Sequence, residues 1–375
     1  MKVLLVANTE WYLYNFRLSL ARYLRDRGHE VVLVSPSGPY APRLQSAGFR
    51  WLAWEVGRRT VNPLQEVDAL NRLTRIYRAE RPDLVHHFTV KPVQYGSLAA
   101  QRVGVPAVVN AITGLGYVFL EDRFPGRLLR PVVLGLYWLA FRHPNYAVIF
   151  ENETDRDTFY SLRLVRPERA RVIQGVGVDV DRFCPQPEPD EPLVVFPSRM
   201  LLDKGLGVLV EAARLLRERR MVRIALVGEP DPGNPATVTE ADLCGWEAEG
   251  LVEWWGFRED MAAVFAGCQV VTLPSMGEGL PTALIEAAAC GRPIVTTNVP
   301  GCRDVVQDGV NGLLVAPNQP QALAEAIERL LDDPDLRQRF GQASRQIALE
   351  RFRNQVINER TLAVYQSVLE RVTGR

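Results

Sequence analysis

A chain of 375 residues, 47% hydrophobic and 23% charged with a formal net charge of zero, is long enough for two domains, each with its own core. The composition excludes a disordered chain, and balanced charge without an aromatic-basic pattern excludes a nucleic-acid binder. The five cysteines (Cys184, Cys244, Cys268, Cys290, Cys302) are odd in number and well separated, so neither a disulfide framework nor a zinc site is expected, and a reducing cytoplasm fits best.

The opening apolar run, residues 2–7, is too short for a signal peptide and reads as a strand. No run of 18 apolar residues offers a spanning helix. Residues 8–13 read as a loop and 14–27 as a helix with Phe16, Leu20 and Leu24 on one face, closed by Gly28. Strands follow at 30–35, 84–87, 107–111, 146–150 and 170–173. Those at 84–87 and 107–111 run into the loops HHFTVKP and ITGLGY. Such alternation predicts a parallel sheet with helices on both faces.

The segment 175–183 (GVGVDVDRF) leads into 184–192 (CPQPEPDEP), dense in proline and acid and expected to be the linker. The pattern then restarts with strand 193–196, helix 207–217, and strands 223–227, 252–255 and 270–273. After the last strand comes GEGLPTALIEAAACG, residues 277–291, and strand 293–297. Helices 321–332 and 334–372 close the chain. The expected architecture is α/β, two doubly wound Rossmann-like domains facing a central cleft: 1–183, 184–350, and a C-terminal helix 351–375 returning toward the first domain. Ligands of such sheets bind at the carboxyl ends of the strands.

Within 277–291, Glu278 and Glu286 are carboxylates with seven residues between them, the first on a loop and the second on a helix. Pro281 suits the first helical turn, and the glycines leave backbone N–H groups bare beside a positive helix end, where phosphate or sugar oxygens are held. Arg199 and Lys204 (RMLLDKG) follow the first strand of the second half and can place a forked guanidinium and a point ammonium on one diphosphate. Of 44 basic residues only Lys2, Lys91 and Lys204 are lysine. Arginine is thus the default cation of this chain, and no arginine cluster is significant by residue type alone. Lys91 and Lys204 draw attention as survivors.

The pair Arg199 and Lys204-Gly205, the acids Glu278 and Glu286, GVDVDRF at the junction and Gly256–Phe257 together resemble the retaining nucleotide-sugar glycosyltransferases of family four, which have the two-domain glycosyltransferase-B fold. The stretches HHFTVKPVQYG, NAITGLGYVF and GEPDPGNP resemble the subgroup that builds bacterial surface polysaccharides and lipid-linked oligosaccharides. The resemblance runs from the first strand to about residue 350. It implies that Arg199 and Lys204 hold the donor diphosphate, Glu286 the nucleotide ribose and Glu278 the donor sugar, so that Arg199, Lys204 and Glu278 carry the chemistry. Gly205, Gly228, Gly277, Gly279, Leu280 and Thr282 would complete the donor site. It also implies no cofactor and no metal; Asp179-Val180-Asp181 has a metal-motif spelling but lies in the junction and reads as structural.

On the acceptor side the candidates are Glu10, Trp11, Asn15 and Arg17 in NTEWYLYNFR, with His86, His87, Lys91 and Gly114. Strand alternation directs only one of the two histidines toward the cleft, without fixing which. The chain departs from many family members in carrying Thr113 where they have a histidine, and in lacking paired glycines in its first loop. Residues 128–141 (LLRPVVLGLYWLAF), with Arg123, Arg127, Arg130 and Arg142 nearby, suit either a buried helix or one lying in a membrane interface. The expected reaction is metal-independent retaining transfer of a hexose or N-acetylhexosamine from a nucleotide diphosphate sugar, UDP-sugar favoured, to a glycan acceptor. The acceptor implied is undecaprenyl-diphosphate-linked, on the cytoplasmic face of the inner membrane. A sugar-nucleotide epimerase of the same fold and a non-catalytic nucleotide or glycan binder are the rivals.

Overall fold

A computed structural model describes residues 1–57, 62–114 and 126–373. Its contacts divide the chain into two units, Met1–Gly177 with Asn354–Arg375, and Val178–Arg353. Among the described residues, unit 1 holds seven strands: β1 Lys2–Val6, β2 Glu30–Ser35, β3 Arg50–Ala53, β4 Leu84–Phe88, β5 Ala107–Ile112, β6 Tyr146–Phe150 and β7 Ala170–Val172. They pair in parallel in the order β3-β2-β1-β4-β5-β6-β7. Val3 to Val6 and Leu84 to Phe88 are buried, as befits strands covered on both faces. Strand order reverses at β1, between β2 and β4, so the chain leaves β1 and β4 toward opposite faces and opens a crevice at their carboxyl ends.

Unit 2 repeats the plan with β8 Leu193–Pro197, β9 Arg223–Val227, β10 Glu253–Gly256, β11 Val270–Leu273, β12 Ile294–Thr297 and β13 Gly312–Val315, in the order β10-β9-β8-β11-β12-β13. Its reversal lies at β8, between β9 and β11. The loops after β8 and β11 therefore flank the crevice, and these carry Arg199, Lys204 and Glu278.

Several elements differ from expectation. Of the expected loop 8–13, only residues 8 and 9 are irregular. The Thr9 side chain accepts from the Tyr12 N–H and starts a helix at Glu10; it widens into a π-helical turn over Leu13–Arg17 before continuing as Leu18–Arg25. The short edge strands β3 and β13 carry no alternation long enough to read. The acidic proline stretch 184–192 is part of unit 2 rather than a linker, because Arg292 donates to the Gln186 carbonyl at 3.1 Å and Gln269 to that of Pro189 at 2.9 Å. The chain changes unit six residues before the expected 183, where the Val178 N–H donates to the Phe352 carbonyl at 2.8 Å. The closing helices break at Arg353, which is extended. Beyond it, helix Asn354–Thr373 joins the core of unit 1 through Ile357, Leu362, Val364, Tyr365 and Val368.

Candidate functional site

In unit 2, the loop after β8 ends in a single helical turn, Leu202–Lys204, closed by Gly205 at φ 78°. A Cβ at Gly205 would overlap the Pro274 carbonyl, so glycine lets this loop lie against the one after β11. The Asp203 carbonyl then accepts from the Met276 N–H at 2.9 Å and from Ser275 Oγ at 3.3 Å. Two loops tied in this way bring Lys204 Nζ to 2.7 and 2.8 Å from the two oxygens of Glu278. Both side chains remain partly open, at 16% and 12% exposure. The ammonium and carboxylate are thus one bidentate ion pair, largely covered but with an open edge at the crevice.

Arg199 makes the second such pair, with Nη1 2.6 Å from Asp231 Oδ2 and the guanidinium half exposed. Asp231 comes from the loop after β9, where the Gly228 N–H donates to the Gly256 carbonyl and the Gly228 carbonyl accepts from Trp254 Nε1, each at 2.9 Å. Helix Thr282–Ala289 starts without a side-chain cap, with Pro281 extended just before it, so its first N–H groups are available to an anion. Glu286 is half-buried on this helix. Burial pushes its carboxyl up to about 7, against the pull of Arg182. Leu280 is buried, Gly277 and Gly279 are half-buried, and the backbone of Glu278 and Gly279 rests on Gly301, whose φ of 80° and close contact with both carbonyls leave no room for a Cβ. Asp231, Ser275, Arg182 and Gly301 are site neighbours that the sequence did not single out, although Arg182 lies inside the junction motif and Asp231 inside GEPDPGNP.

In unit 1 the polar residues at the strand ends are turned inward. His87 has both ring nitrogens engaged, Nε2 with the Tyr77 hydroxyl and Nδ1 with Asn110 Oδ1, each at 2.8 Å, and burial pushes it down to about 4. His86 Nδ1 meets the Tyr365 hydroxyl at 2.6 Å, burial and the nearby Arg17 hold it well below the ordinary histidine range, and its Nε2 has no partner among the described residues. Both histidines are buried, a correction to the expectation that one reaches the crevice. Helix Asn354–Thr373 covers His86, a contact from a distant part of the chain.

Arg17 is also buried. Its guanidinium donates to the Tyr12 hydroxyl at 2.7 Å, lies 4.3 Å from the centre of the Phe88 ring and approaches Glu151 Oε1 at 3.6 Å. Burial raises Glu151 to about 7 despite that cation, and raises Tyr12, which also bonds Thr113, to about 12. Lys91 Nζ is held by Glu66 at 2.6 Å and the Gly57 carbonyl at 2.7 Å, and the buried Glu10 carboxylate packs against Gly38. Arg17, Glu10 and His87 therefore serve the interior of unit 1 rather than an open surface, whereas the Lys91–Glu66 pair, at 16% and 15% exposure, is as open as Lys204–Glu278. Trp11 is 39% exposed and Asn15 is exposed, its amide on the Trp11 carbonyl at 2.9 Å; Gly114 is half-buried. Thr89, just past β4, has a left-handed φ of 70° and a buried hydroxyl without a partner among the described residues, a strained position of the kind found beside functional sites. Residues 115–119 of the NAITGLGYVF stretch and Arg123 lie outside the described residues, as does the side chain of Arg127.

Two family models match the chain, "Glycosyl transferase 4-like" over residues 2–148 and "Glycosyl transferases group 1" over 191–333. The chain is 28% identical to an N,N'-diacetylbacillosaminyl-diphospho-undecaprenol alpha-1,3-N-acetylgalactosaminyltransferase of Campylobacter jejuni, over 96% of this chain and 97% of that protein. It is 32% identical to a D-inositol 3-phosphate glycosyltransferase of Xylanimonas cellulosilytica, over 70% and 67% of the two. Among solved structures, Anabaena Alr3699/HepE in complex with UDP and glucose superposes with a TM-score of 0.80 at 22% identity, covering 98% of this chain and all of that one.

Proposed function

The chain belongs to the family-four glycosyltransferases with the glycosyltransferase-B fold, and from that premise we propose that it moves a hexose or N-acetylhexosamine, with retention and without a metal, from a nucleotide diphosphate sugar to an undecaprenyl-diphosphate-linked glycan. The observation that carries this reading is the Lys204–Glu278 pair at the crevice of unit 2. Each of its charges has a natural replacement in the donor, the diphosphate for the ammonium and sugar hydroxyls for the carboxylate. Arg199 on Asp231 repeats the arrangement. Exchange of partners on donor binding keeps the ammonium paired and the carboxylate hydrogen-bonded throughout.

In the reaction, the bond from the anomeric carbon to the diphosphate breaks and a bond to an acceptor hydroxyl forms on the same face. The acceptor proton passes to the departing phosphate oxygen. Charge grows on that phosphate, and Lys204, Arg199 and the bare N–H groups at Thr282 compensate it; this is the duty a metal would otherwise perform. Glu286 accepts from the ribose hydroxyls, with Gly205, Gly228, Gly277, Gly279 and Leu280 shaping the donor site. The acceptor class follows the Campylobacter relative, and it implies work at the cytoplasmic face of the inner membrane by a protein in peripheral contact with it. No described helix is long and apolar enough to cross a membrane.

The test has two steps. Thermal shift against UDP-, GDP- and ADP-sugars identifies the donor, since a matched ligand stabilises by mass action; UDP-sugars, the class bound by the Anabaena neighbour, are tried first. The matched donor is then incubated with and without an undecaprenyl-diphosphate saccharide, and the product's anomeric configuration is read by NMR. Transfer with retention supports the proposal. An epimerised sugar formed from donor alone, or binding without turnover, defeats it.

A further inference from the structure

Opposite the strand ends just described, an open pocket of about 690 Å³ lies where the strands of unit 1 begin. It is lined by residues immediately preceding β5, β6 and β7 and by the last turn of helix Asn354–Thr373. Arg142, Arg169 and Arg371 converge on it. Arg169 is anchored by the Pro144 and Tyr146 carbonyls, each at 3.3 Å, Arg371 by the Ser367 carbonyl at 3.0 Å, and Arg142 sits 3.5 Å over the Trp138 ring. Arginine is this chain's default cation, so its mere presence proves little. More telling are the concavity and the missing counter-charge: among the described residues no carboxylate pairs with any of the three. Burial and the neighbouring Arg169 and Arg171 make the proton on Arg371 easier to lose than usual, the mark of like charges held together.

The pocket meets an exposed apolar helix face through Arg142, which lines it and lies over the Trp138 ring. Helix Gly126–Ala140 buries Tyr137 and Ala140 and turns Pro131, Gly135, Trp138 and then Arg142 outward at spacings of four, three and four, one continuous stripe. Val132 is 59% exposed, Trp138 47% and Leu139 41%, and Val372 is exposed at the pocket itself. An exposed aromatic and aliphatic surface ending in an uncompensated cationic cavity matches a phosphate with an acyl boundary beside it.

We propose that this pocket binds the phosphate of an anionic phospholipid headgroup, with Trp138, Leu139 and Val132 entering the boundary between headgroups and acyl chains. This deepens the peripheral membrane contact of the proposed function and rests on that reading for the location of the acceptor, though not on any donor chemistry.

Vesicle co-sedimentation of the full chain tests this, using phosphatidylcholine alone and phosphatidylcholine with phosphatidylglycerol. The wild type is expected to bind only the anionic vesicles, more weakly at high salt, and Arg169→Gln/Arg371→Gln to lose roughly tenfold or more in affinity, while Arg329→Gln, on a helix of unit 2, binds as wild type. Trp138→Ala should weaken binding to the same vesicles independently. Circular dichroism melts verify that each variant is folded, and transfer to a short, water-soluble acceptor should be unchanged in all of them. Equal vesicle binding by the double variant overturns the assignment. So does inorganic phosphate saturating the wild type when no vesicle is bound, an outcome that would make the pocket a soluble-phosphate site. Absence of transfer by the wild type would defeat the glycosyltransferase mechanism but not the vesicle result.

Discussion

The carboxyl ends of the two sheets are built from similar residues and used differently. At the unit 2 edge, Lys204, Glu278, Arg199 and Asp231 pair with one another at the surface of a crevice, partly solvated and free to exchange partners. At the unit 1 edge, Arg17, Glu151, His86 and His87 are buried and bonded to Tyr12, Tyr365, Tyr77 and Asn110. A pair with an open edge can be lent to a ligand; groups sealed inside mainly order the scaffold. Polar residues at a strand end are thus not equivalent candidates, and exposure of the functional atoms separates Lys204 and Arg199 from Arg17 and the two histidines, though not from Lys91.

The largest expected effect falls on the unit 2 pair. Lys204→Ala should lower kcat/KM by about 10²–10³, the scale of removing one preorganised charge from a transition state. It also strands Glu278, so some stability is lost. Lys204→Met/Glu278→Gln removes both charges together and should restore the melting temperature without restoring turnover. If turnover returned with stability, the pair would be structural and the contrast between the two edges would collapse. Arg199→Ala, starting from a half-exposed guanidinium, is expected to cost less, about tenfold to a hundredfold in kcat/KM in the same assay.

His87→Ala should behave in the opposite way. It leaves the buried Tyr77 hydroxyl without a partner and takes one of two donors from Asn110 Oδ1, which keeps Ser97 Oγ at 3.0 Å, and it opens a cavity, so a loss of roughly 2–4 kcal/mol in chemical denaturation is expected. Turnover per folded molecule, measured well below the new melting temperature, should stay within a factor of about two. A stable variant with crippled turnover would instead return His87 to the acceptor site.

How much of this was legible follows from the range of each interaction. The parallel strands are short apolar runs punctuated by glycine, and the doubly wound plan could be read from them directly. The loop motifs around Lys204 and Glu278 are local, so their spacing was visible. The start of the first helix was not, because Thr9 caps it and the π-helical turn at Leu13–Arg17 disrupts the 3.6-residue spacing of its apolar positions. Partners far along the chain were hidden as well. Nothing near His86 announces Tyr365, 279 residues away, and nothing near Lys91 announces Glu66. The proline-rich segment 184–192 misled for a related reason: its composition suits a linker, while the groups that fix it, Arg292, Gln269 and Arg337, come from far downstream.

The subtlest test concerns Glu286, where stability and function should respond to pH with opposite signs. Its carboxyl sits at about 7 against an ordinary 4.5, raised by burial, so the folded protein holds this proton more tightly than the unfolded chain. Stability contributed by this group therefore falls as pH rises from about 4.5 to about 7 and is level above. Glu151, raised likewise, adds a slope of the same sign, so the wild-type curve contains both. Glu286→Gln should remove one of them and stabilise the unliganded protein at pH 8 by roughly 1–3 kcal/mol. The charged form is the one that accepts from ribose hydroxyls, so the donor KM of the wild type should rise as pH drops below about 7. In Glu286→Gln the donor should bind more weakly and that pH limb should vanish. A variant that is both more stable and no weaker for donor would show that the buried charge is not held for the ribose, and the difference between the two edges would then rest on Lys204 and Arg199 alone.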